Sequence, residues 1–160
     1  LFAFAIIIGA AFVRIENHSA KPLLSFSLFK NSAFTMSLLC GFLIFVTNFF
    51  FNVISPFYLE NARGLKPNIA GLILMAFPIV QVIVAPMAGA LSDRIGPELI
   101  TFCGLILILL SQIGYMLTDL STPLWLFTAI VGCVGLGNGI FQAPNNTIVM
   151  NSVEPQERVA

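Results

Sequence analysis

Charged side chains are scarce in this chain. Only 9% of its 160 residues are charged, whereas 58% are hydrophobic. About a quarter of the residues in a soluble domain carry a charge, so this composition excludes an ordinary water-soluble protein. Seven basic residues are balanced by seven acidic residues, and a net charge of zero gives no reason to expect nucleic acid as a partner.

Residues that bind metals or act as nucleophiles are few and scattered. The cysteines, Cys40, Cys103 and Cys133, form no C-x-x-C pair, and the one histidine, His18, stands apart from them. Metal sites need several ligands close together. We therefore predict that the cysteines pack as small apolar residues, and we expect no metal site, no cofactor, no catalytic residue and no enzyme activity.

What the sequence has instead is long segments without any charge. Four of them lie between the charged residues: 31–59, 67–92, 99–118 and 120–153. Each provides the roughly 20 residues that a helix needs to cross a hydrocarbon core about 30 Å thick, and none alternates like a barrel strand. The pattern predicts an all-α membrane protein, a bundle whose complete transmembrane helices lie at about 34–59, 69–91, 99–118 and 123–150.

Residues before the first complete helix fall into two parts. The segment 1–13 is apolar but too short to cross a bilayer, so we interpret it as the end of a truncated fifth helix. The segment 14–33 would connect it to the first complete helix.

Basic residues indicate which side of the membrane each connection occupies. If the helices alternate in direction, 14–33, 92–98 and 151–160 share one side, which carries five of the seven basic residues. The positive-inside rule makes that side cytoplasmic. Aromatic residues that favour the membrane interface stand at the opposite helix ends: Tyr58, Tyr115 and Trp125.

The polar side chains inside the predicted spans are amides, and no charged residue accompanies them. Asn48 and Asn52 lie one helical turn apart, a second stripe lies at 138–146, and Gln81 and Gln112 each stand alone in their helices. Such amides either hydrogen-bond one helix to another, at about 0.6 kcal/mol each, or line a polar cavity. Both interpretations stay open. The candidates for cavity lining are Asn48, Asn52, Gln81, Asn138, Gln142 and Asn145.

Small residues occupy a neighbouring face of the last predicted helix. Gly132, Gly135, Gly139 and Ala143 recur at intervals of three or four residues. A face of this kind lets another helix approach closely. We therefore predict that the glycines pack against a neighbouring helix while the adjacent amide face borders a cavity.

The segment "GALSDRIG", residues 89–96, joins the second and third predicted spans and has the form G-x-L-x-D-R-x-G. It resembles the signature loop of the major facilitator superfamily of secondary transporters. Three further segments look like motifs of that superfamily's fourteen-span drug:proton antiporter branch. They are "IENHSAKPLLSFSLFKNSAF" (15–34), "PFYLENARGLKPNIAGLILM" (56–75) and "GLGNGIFQAPNNTIVMNSVEPQER" (135–158).

This resemblance implies that 34–160 is part of the C-terminal half of a transporter in a bacterial cytoplasmic membrane. The spans at 34–59 and 123–150 would line the central cavity, and the N-terminal half of the same chain would be their partner. The implied activity is proton-coupled efflux of drugs or other amphiphilic molecules by alternating access. The alternatives are a transporter of one specific metabolite and, less in keeping with the residues present, a membrane-embedded enzyme or sensor.

The resemblance also suggests a conformational switch in the loop of Gly89, Asp93, Arg94 and Gly96. Gly89 would allow two helices to cross closely, and Gly96 would allow the tight turn. Asp93 would cap the positive end of a neighbouring helix or pair with a cytoplasmic arginine, and so latch the outward-open state. The simpler alternative is a solvated turn that only keeps the loop out of the membrane.

Overall fold

The computed structural model describes residues 31–151, and all of the regular structure in that range is helical. Its α-helices are α1 (Ser32–Phe57), α2 (Pro67–Leu74), α3 (Ala76–Ile95), α4 (Pro97–Met116) and α5 (Leu124–Asn151). The predicted truncated helix at 1–13 and nearly all of the connection at 14–33 lie outside the described residues.

These helices form four segments that are long and apolar enough to cross a membrane. They are Phe34–Ala62, Pro67–Ile95, Pro97–Met116 and Leu124–Asn151. The prediction of an all-α membrane protein with four complete spans is therefore confirmed. Large apolar side chains such as Leu72, Val82 and Leu109 point out of the bundle, as lipid-facing residues do.

The first span continues beyond its predicted end at residue 59. After α1, a π-helical turn covers Tyr58–Ala62, and the amide of Arg63 donates to the Tyr58 carbonyl five residues earlier. A π-helical turn inserts one residue into the helical repeat. It brings Arg63 to the end of the bundle that also carries the connection between α4 and α5. We call this the Arg63 end and the opposite one the Gly96 end.

The second span is two helices rather than one. Met75 separates α2 from α3, although its backbone keeps helical angles (φ −60°, ψ −21°). Pro78 explains the interruption, because a proline has no N–H to donate to the carbonyl four residues earlier, here that of Leu74. Pro78 itself lies in the first turn of α3, where proline is tolerated.

The connection between α3 and α4 is shorter than the predicted loop at 92–98. Helix α3 continues to Ile95 and α4 begins at Pro97, so Gly96 alone lies between them. Gly96 has φ 97° and ψ 143°, a combination that essentially only glycine adopts. Pro97 then begins α4, since its fixed φ suits the first helical position.

Helix α5 is the most enclosed element. Half of the residues in its most apolar stretch are buried, compared with 11% in that of the first span. It packs between α3 and α4. A buried core cluster lies toward the Arg63 end and consists of Phe51, Leu59, Ala70, Ile73, Phe127, Val131 and Val134.

Candidate functional site

A cavity of about 330 Å³ opens between three of the four spans. Helices α1, α3 and α5 line it, and α4 contributes no residue. Its apolar wall includes Ile44, Phe45, Phe77 and Phe141. The structure also brings all six amides that the sequence singles out to this one cavity: Asn48, Asn52, Gln81, Asn138, Gln142 and Asn145.

Asn138 is held in place by hydrogen bonds on both sides of its amide. Its oxygen accepts a bond of 2.6 Å from the Asn48 nitrogen, and its own nitrogen donates to the Val134 carbonyl at 2.8 Å. The side chain is 3% exposed. Because both ends of the amide are engaged, Asn138 joins α1 to α5 and presents a fixed polar surface to the cavity.

Gln81 does not stand alone in the fold, although it does in the sequence. Its side-chain nitrogen donates to the side-chain oxygen of Gln142 at 2.9 Å, which links α3 to α5. On α1, the Asn52 nitrogen donates to the Asn48 carbonyl at 2.8 Å. The amides therefore hold helices together and line the cavity at the same time, so the two interpretations that the sequence left open are compatible.

Asn145 differs from the other amides. It is 6% exposed, and its side-chain oxygen has no hydrogen-bond partner among residues 31–151. Inside a membrane protein an unpartnered polar atom costs free energy. Asn145 therefore carries a buried acceptor that no described residue satisfies.

No residue that lines this cavity carries a charge. A ligand would therefore meet amide donors and acceptors together with aromatic and aliphatic surface. Such a lining suits molecules that are largely apolar and offer a few hydrogen-bonding groups. It provides no fixed charge to attract or reject a ligand of one sign.

The residues of the suggested switch lie at the Gly96 end. Gly89 faces α5, where an added methyl group would lie 3.8 Å from the Ala143 Cβ. Asp93 and Arg94 are exposed in the last turn of α3 rather than in a loop. At the N-terminus of α4 the cap residue is Gly96, which has no side chain to bond the first amides.

The small face of α5 lies against α3. A methyl group added at Gly135 would come within 2.3 Å of the Phe77 carbonyl oxygen, and one at Gly139 within 3.2 Å of the Gln81 carbonyl oxygen. At Gly132 the nearest atom, on Val80, would be 3.7 Å away. The contact with α3 is therefore tightest at Gly135 and loosest at Gly132.

The sequence did not predict a second close contact, which lies between α4 and α5. Methyl groups added at Gly104 and Gly137 would each come within 2.7 Å of the opposite helix, at Phe141 and Ile108 respectively. The available signal was the spacing of Thr101, Gly104 and Ser111, which places small residues on one face of α4.

Arg63 was also missed, and it organises its end of the bundle. Its guanidinium donates to the carbonyl oxygens of Asp119 and Thr122, and its Nε donates to the Tyr58 hydroxyl at 3.2 Å. The same group lies over the rings of Tyr58 and Phe127, 5.3 and 5.9 Å from their centroids. Arg63 thereby ties the end of the first span to the connection between α4 and α5.

Asp119 shapes that connection from within. Its carboxylate accepts hydrogen bonds from the backbone and hydroxyl of Ser121 and from the hydroxyl of Thr122. The bonds from Ser121, followed by those from Thr122, hold the pKa of the Asp119 carboxyl below its ordinary value of 3.8. The turn therefore favours the ionised carboxylate.

The helices and the cavity define a multi-pass α-helical membrane protein whose spans surround an uncharged, amide-lined space. The family model of the Major Facilitator Superfamily matches residues 1–160. The chain belongs to that superfamily, as its signature loop suggested.

Curated relatives carry more than one kind of name. The chain is 34% identical to the riboflavin transporter RibZ of Clostridioides difficile over 82% of its own length and 29% of that protein. It is 30% identical to the multidrug efflux pump LfrA of Mycolicibacterium smegmatis over 95% of its length and 30% of the pump. It is also 30% identical to the multidrug transporter protein MdtP of Bacillus subtilis, over 88% of its length and 26% of MdtP.

The chain thus spans less than a third of the length of these relatives. No solved structure gives a significant match to it.

Proposed function

We propose that the full-length protein is a secondary active transporter that exports drugs or other amphiphilic small molecules in exchange for protons. The observation that carries this proposal is the single cavity in which uncharged amides from three spans meet aromatic side chains. Such a surface accepts ligands of varied shape, because no charge selects one chemical group. The relatives named as multidrug transporters support the same substrate class.

Transport would proceed by alternating access, with the cavity opening to one side of the membrane and then to the other. Helices α1 and α5 would form part of the wall, and the N-terminal half of the protein would complete it. No ionisable side chain lines the cavity between residues 31 and 151. The groups that carry protons would therefore lie in the rest of the protein.

The protein would lie in the bacterial cytoplasmic membrane, with the Gly96 end and the connection at 14–33 facing the cytoplasm. Gly89, Asp93, Arg94 and Gly96 would then form a cytoplasmic switch. Asp93 is exposed in the last turn of α3, so the arginine that pairs with it would come from the rest of the protein. An exposed pair contributes at most about 1 kcal/mol, which biases a conformational equilibrium without locking it.

Replacing Asp93 by asparagine tests the switch. We expect Asp93→Asn to slow transport and to change the reactivity of cysteines introduced into the cavity, because the two states would be populated differently. Unchanged transport together with unchanged reactivity would contradict the switch and leave a solvated turn.

The second candidate function is transport of one specific uncharged metabolite. The relative named as a riboflavin transporter favours it, and so does a cavity whose amides could hydrogen-bond a neutral polar ring. The two candidates differ in breadth, since a specific transporter would reject lipophilic cations.

The test is transport by the purified full-length protein in liposomes with an imposed proton gradient. An ethidium-type lipophilic cation and riboflavin are each offered, with and without an uncoupler. We expect cation transport that the uncoupler abolishes. Riboflavin transport without cation transport would replace the proposal by the second candidate, and transport that ignores the uncoupler would remove proton coupling from it.

Two amide variants connect the activity to the cavity. Gln142→Leu removes an exposed amide that lines it, and we expect transport to fall about tenfold or more, since a ligand loses a group that orients it in the cavity. Gln112→Leu is the control, because Gln112 is a half-buried amide on α4 that does not line this cavity. Equal losses of transport in both variants would show that transport does not depend specifically on the amides of this cavity.

A further inference from the structure

A further cavity, of about 350 Å³, lies between α1 and the interruption of the second span at Met75. We call it the Met75 groove. Phe51 and Ser55 border it on α1, and Gly71 and Met75 border it on the other side. Helices α1 and α2 pack together behind it, since Phe51 belongs to the same buried cluster as Ile73. The groove therefore has packed protein at its base.

The Met75 groove adjoins the amide-lined cavity. Asn52 and Phe77 line both spaces, one from α1 and the other from α3. Along α1 the two spaces together extend from Gly41 to Ser55, which is about 21 Å of helix. Each volume alone is at the lower end of the roughly 300–1,000 Å³ that ligand pockets have. The joined space therefore suits one elongated molecule.

The two spaces differ in polarity. Apart from Asn52 and Ser55, the residues that border the Met75 groove are apolar or glycine. Ser55 is fully buried, and its hydroxyl lies 3.0 Å from the Tyr115 hydroxyl, so the bundle already satisfies it. Asn52 is exposed at the boundary with the amide-lined cavity. A ligand would thus meet amides at one end of the joined space and apolar surface at the other.

The apolar surface of the groove has room and can adapt its shape. No atom lies within 4 Å of the position that a Cβ would take at Gly71. Met75 is 50% exposed, and the unbranched thioether of a methionine fits apolar groups of different shapes. The rings of Phe51 and Phe77, with centroids 5.7 Å apart, add aromatic surface. These features suit an alkyl chain or a flat ring.

We propose that the Met75 groove is a binding subsite for the apolar part of a ligand whose polar group lies in the amide-lined cavity. The ligand class is elongated amphiphiles with a hydrogen-bonding head and an alkyl or arylalkyl tail. This inference deepens the proposed function and rests on the substrate class proposed there. The shared wall of Asn52 and Phe77 favours a ligand over a lipid chain, which would cover the exposed Asn52 amide without bonding it.

A series of 4-alkylbenzamides provides the probe. Each compound has a carboxamide head that can hydrogen-bond to amides and an alkyl tail of chosen length. Binding of the tritiated compounds to the purified full-length protein in liposomes is measured without a transport step, and protein-free liposomes give the partition into lipid. We expect the affinity, corrected for partition, to rise by up to about fourfold for each methylene from methyl to hexyl.

Gly71→Phe fills the groove and tests its role directly. The fold should accept the ring, because the position is open and glycine is a poor helix former. We expect the hexyl compound to bind about tenfold more weakly or worse, while benzamide itself binds as before. Leu72→Phe is the matched control, since Leu72 is the next residue and its side chain, 68% exposed, points out of the bundle. It should change neither affinity.

The other results have different meanings. If Gly71→Phe weakens benzamide as much as the hexyl compound, the groove is a contact with the N-terminal half and the subsite is overturned. If it weakens neither, lipid fills the groove and the subsite is again overturned. If no benzamide binds at all, the substrate class of the proposed function is wrong as well. Length-dependent binding without transport would instead support the subsite and contradict only the transport activity.

Photo-crosslinking locates the tail independently of affinity. A diazirine at the end of the hexyl tail should label the segment 71–78, and a diazirine on the benzamide ring should label residues of the amide-lined cavity. Labelling by the tail should disappear in Gly71→Phe and persist in Leu72→Phe. A tail that labels only lipid or lipid-facing residues would contradict the subsite, even if the affinity depended on tail length.

Discussion

The two ends of this bundle solve the same problem, placing polar groups inside a membrane protein, in different ways. At the Arg63 end, polar groups pair with one another: the hydroxyls of Ser55 and Tyr115 lie 3.0 Å apart, and the Tyr58 hydroxyl donates to the Asp119 carbonyl at 2.7 Å. At the Gly96 end, Ser92 and Thr101 have no partner among residues 31–151. The Arg63 end thus ties its helices together through side-chain hydrogen bonds, whereas the Gly96 end leaves two buried hydroxyls unpaired.

Aromatic packing accounts for the first end. The Tyr58 ring stacks on Phe127 with centroids 5.5 Å apart, and Phe51 meets both Phe77 and Tyr115. No comparable aromatic cluster lies at the Gly96 end of the described residues, and the amide-lined cavity lies between the two ends. The comparison indicates that aromatic and hydrogen-bonded contacts between helices are concentrated at the Arg63 end.

The largest expected effect comes from disturbing the close contact between α3 and α5. Gly135→Ala would place a methyl group 2.3 Å from a backbone oxygen of Phe77, which no side-chain rotation relieves. We expect a loss of about 3 kcal/mol or more, measured as the free energy of unfolding in mixed detergent. Gly132→Ala, with 3.7 Å of clearance, is the control and should change stability little. Equal effects would show that the tight contact does not exist.

A smaller effect should follow from removing the side chain that ties the Arg63 end together. Arg63→Met leaves the Asp119 and Thr122 carbonyls and the Tyr58 hydroxyl without their donor, and we expect a loss of about 1–2 kcal/mol. Hydrogen exchange should rise at 117–123 while the Gly96 end stays unchanged. Lys66→Met is the control, since Lys66 is exposed at the start of α2. A uniform rise in hydrogen exchange along the whole chain would contradict the difference between the two ends.

The smallest effect concerns pH. The folded pKa of Asp119 is lowered, so its contribution to stability is present above the unfolded pKa of about 3.9 and is lost as pH falls through the folded value. We therefore expect the turn at 119–122 to be indifferent to pH between about 5 and 8 and to loosen below about 4. Asp119→Asn should remove this acid dependence in hydrogen exchange. If the acid dependence of hydrogen exchange survives the substitution, it arises from another carboxylate.

The sequence was sufficient for the spans because lipid imposes a length and a composition on any helix that crosses it. It did not reveal that the second span is interrupted at Met75, since a proline inside a membrane helix can bend, break or merely loosen it. The predicted end of the first span, at residue 59, was also too early. A π-helical turn leaves no compositional signal.

For the site, periodicity predicted which amides share a helical face, and the two stripes lie on α1 and α5 of the same cavity. Periodicity could not show that Gln81 pairs with Gln142, because the direction in which a lone amide points depends on how the helices pack. Arg63 was beyond reach for a different reason. Two of its partners are backbone carbonyls, which every residue has, so no residue type in the sequence identifies them.

The single residue between α3 and α4 has an evolutionary consequence. Gly96 occupies backbone angles that every other amino acid adopts only with strain of about 1–3 kcal/mol. Substitutions there would therefore destabilise the protein, whichever ligand it transports. The amides of the cavity are under no such restriction, since many side chains fit on a helix face. Descendants of this protein could therefore acquire new ligands by changing α1 and α5 while inheriting the same connection. We expect Gly96 to persist across a lineage whose ligands diverge.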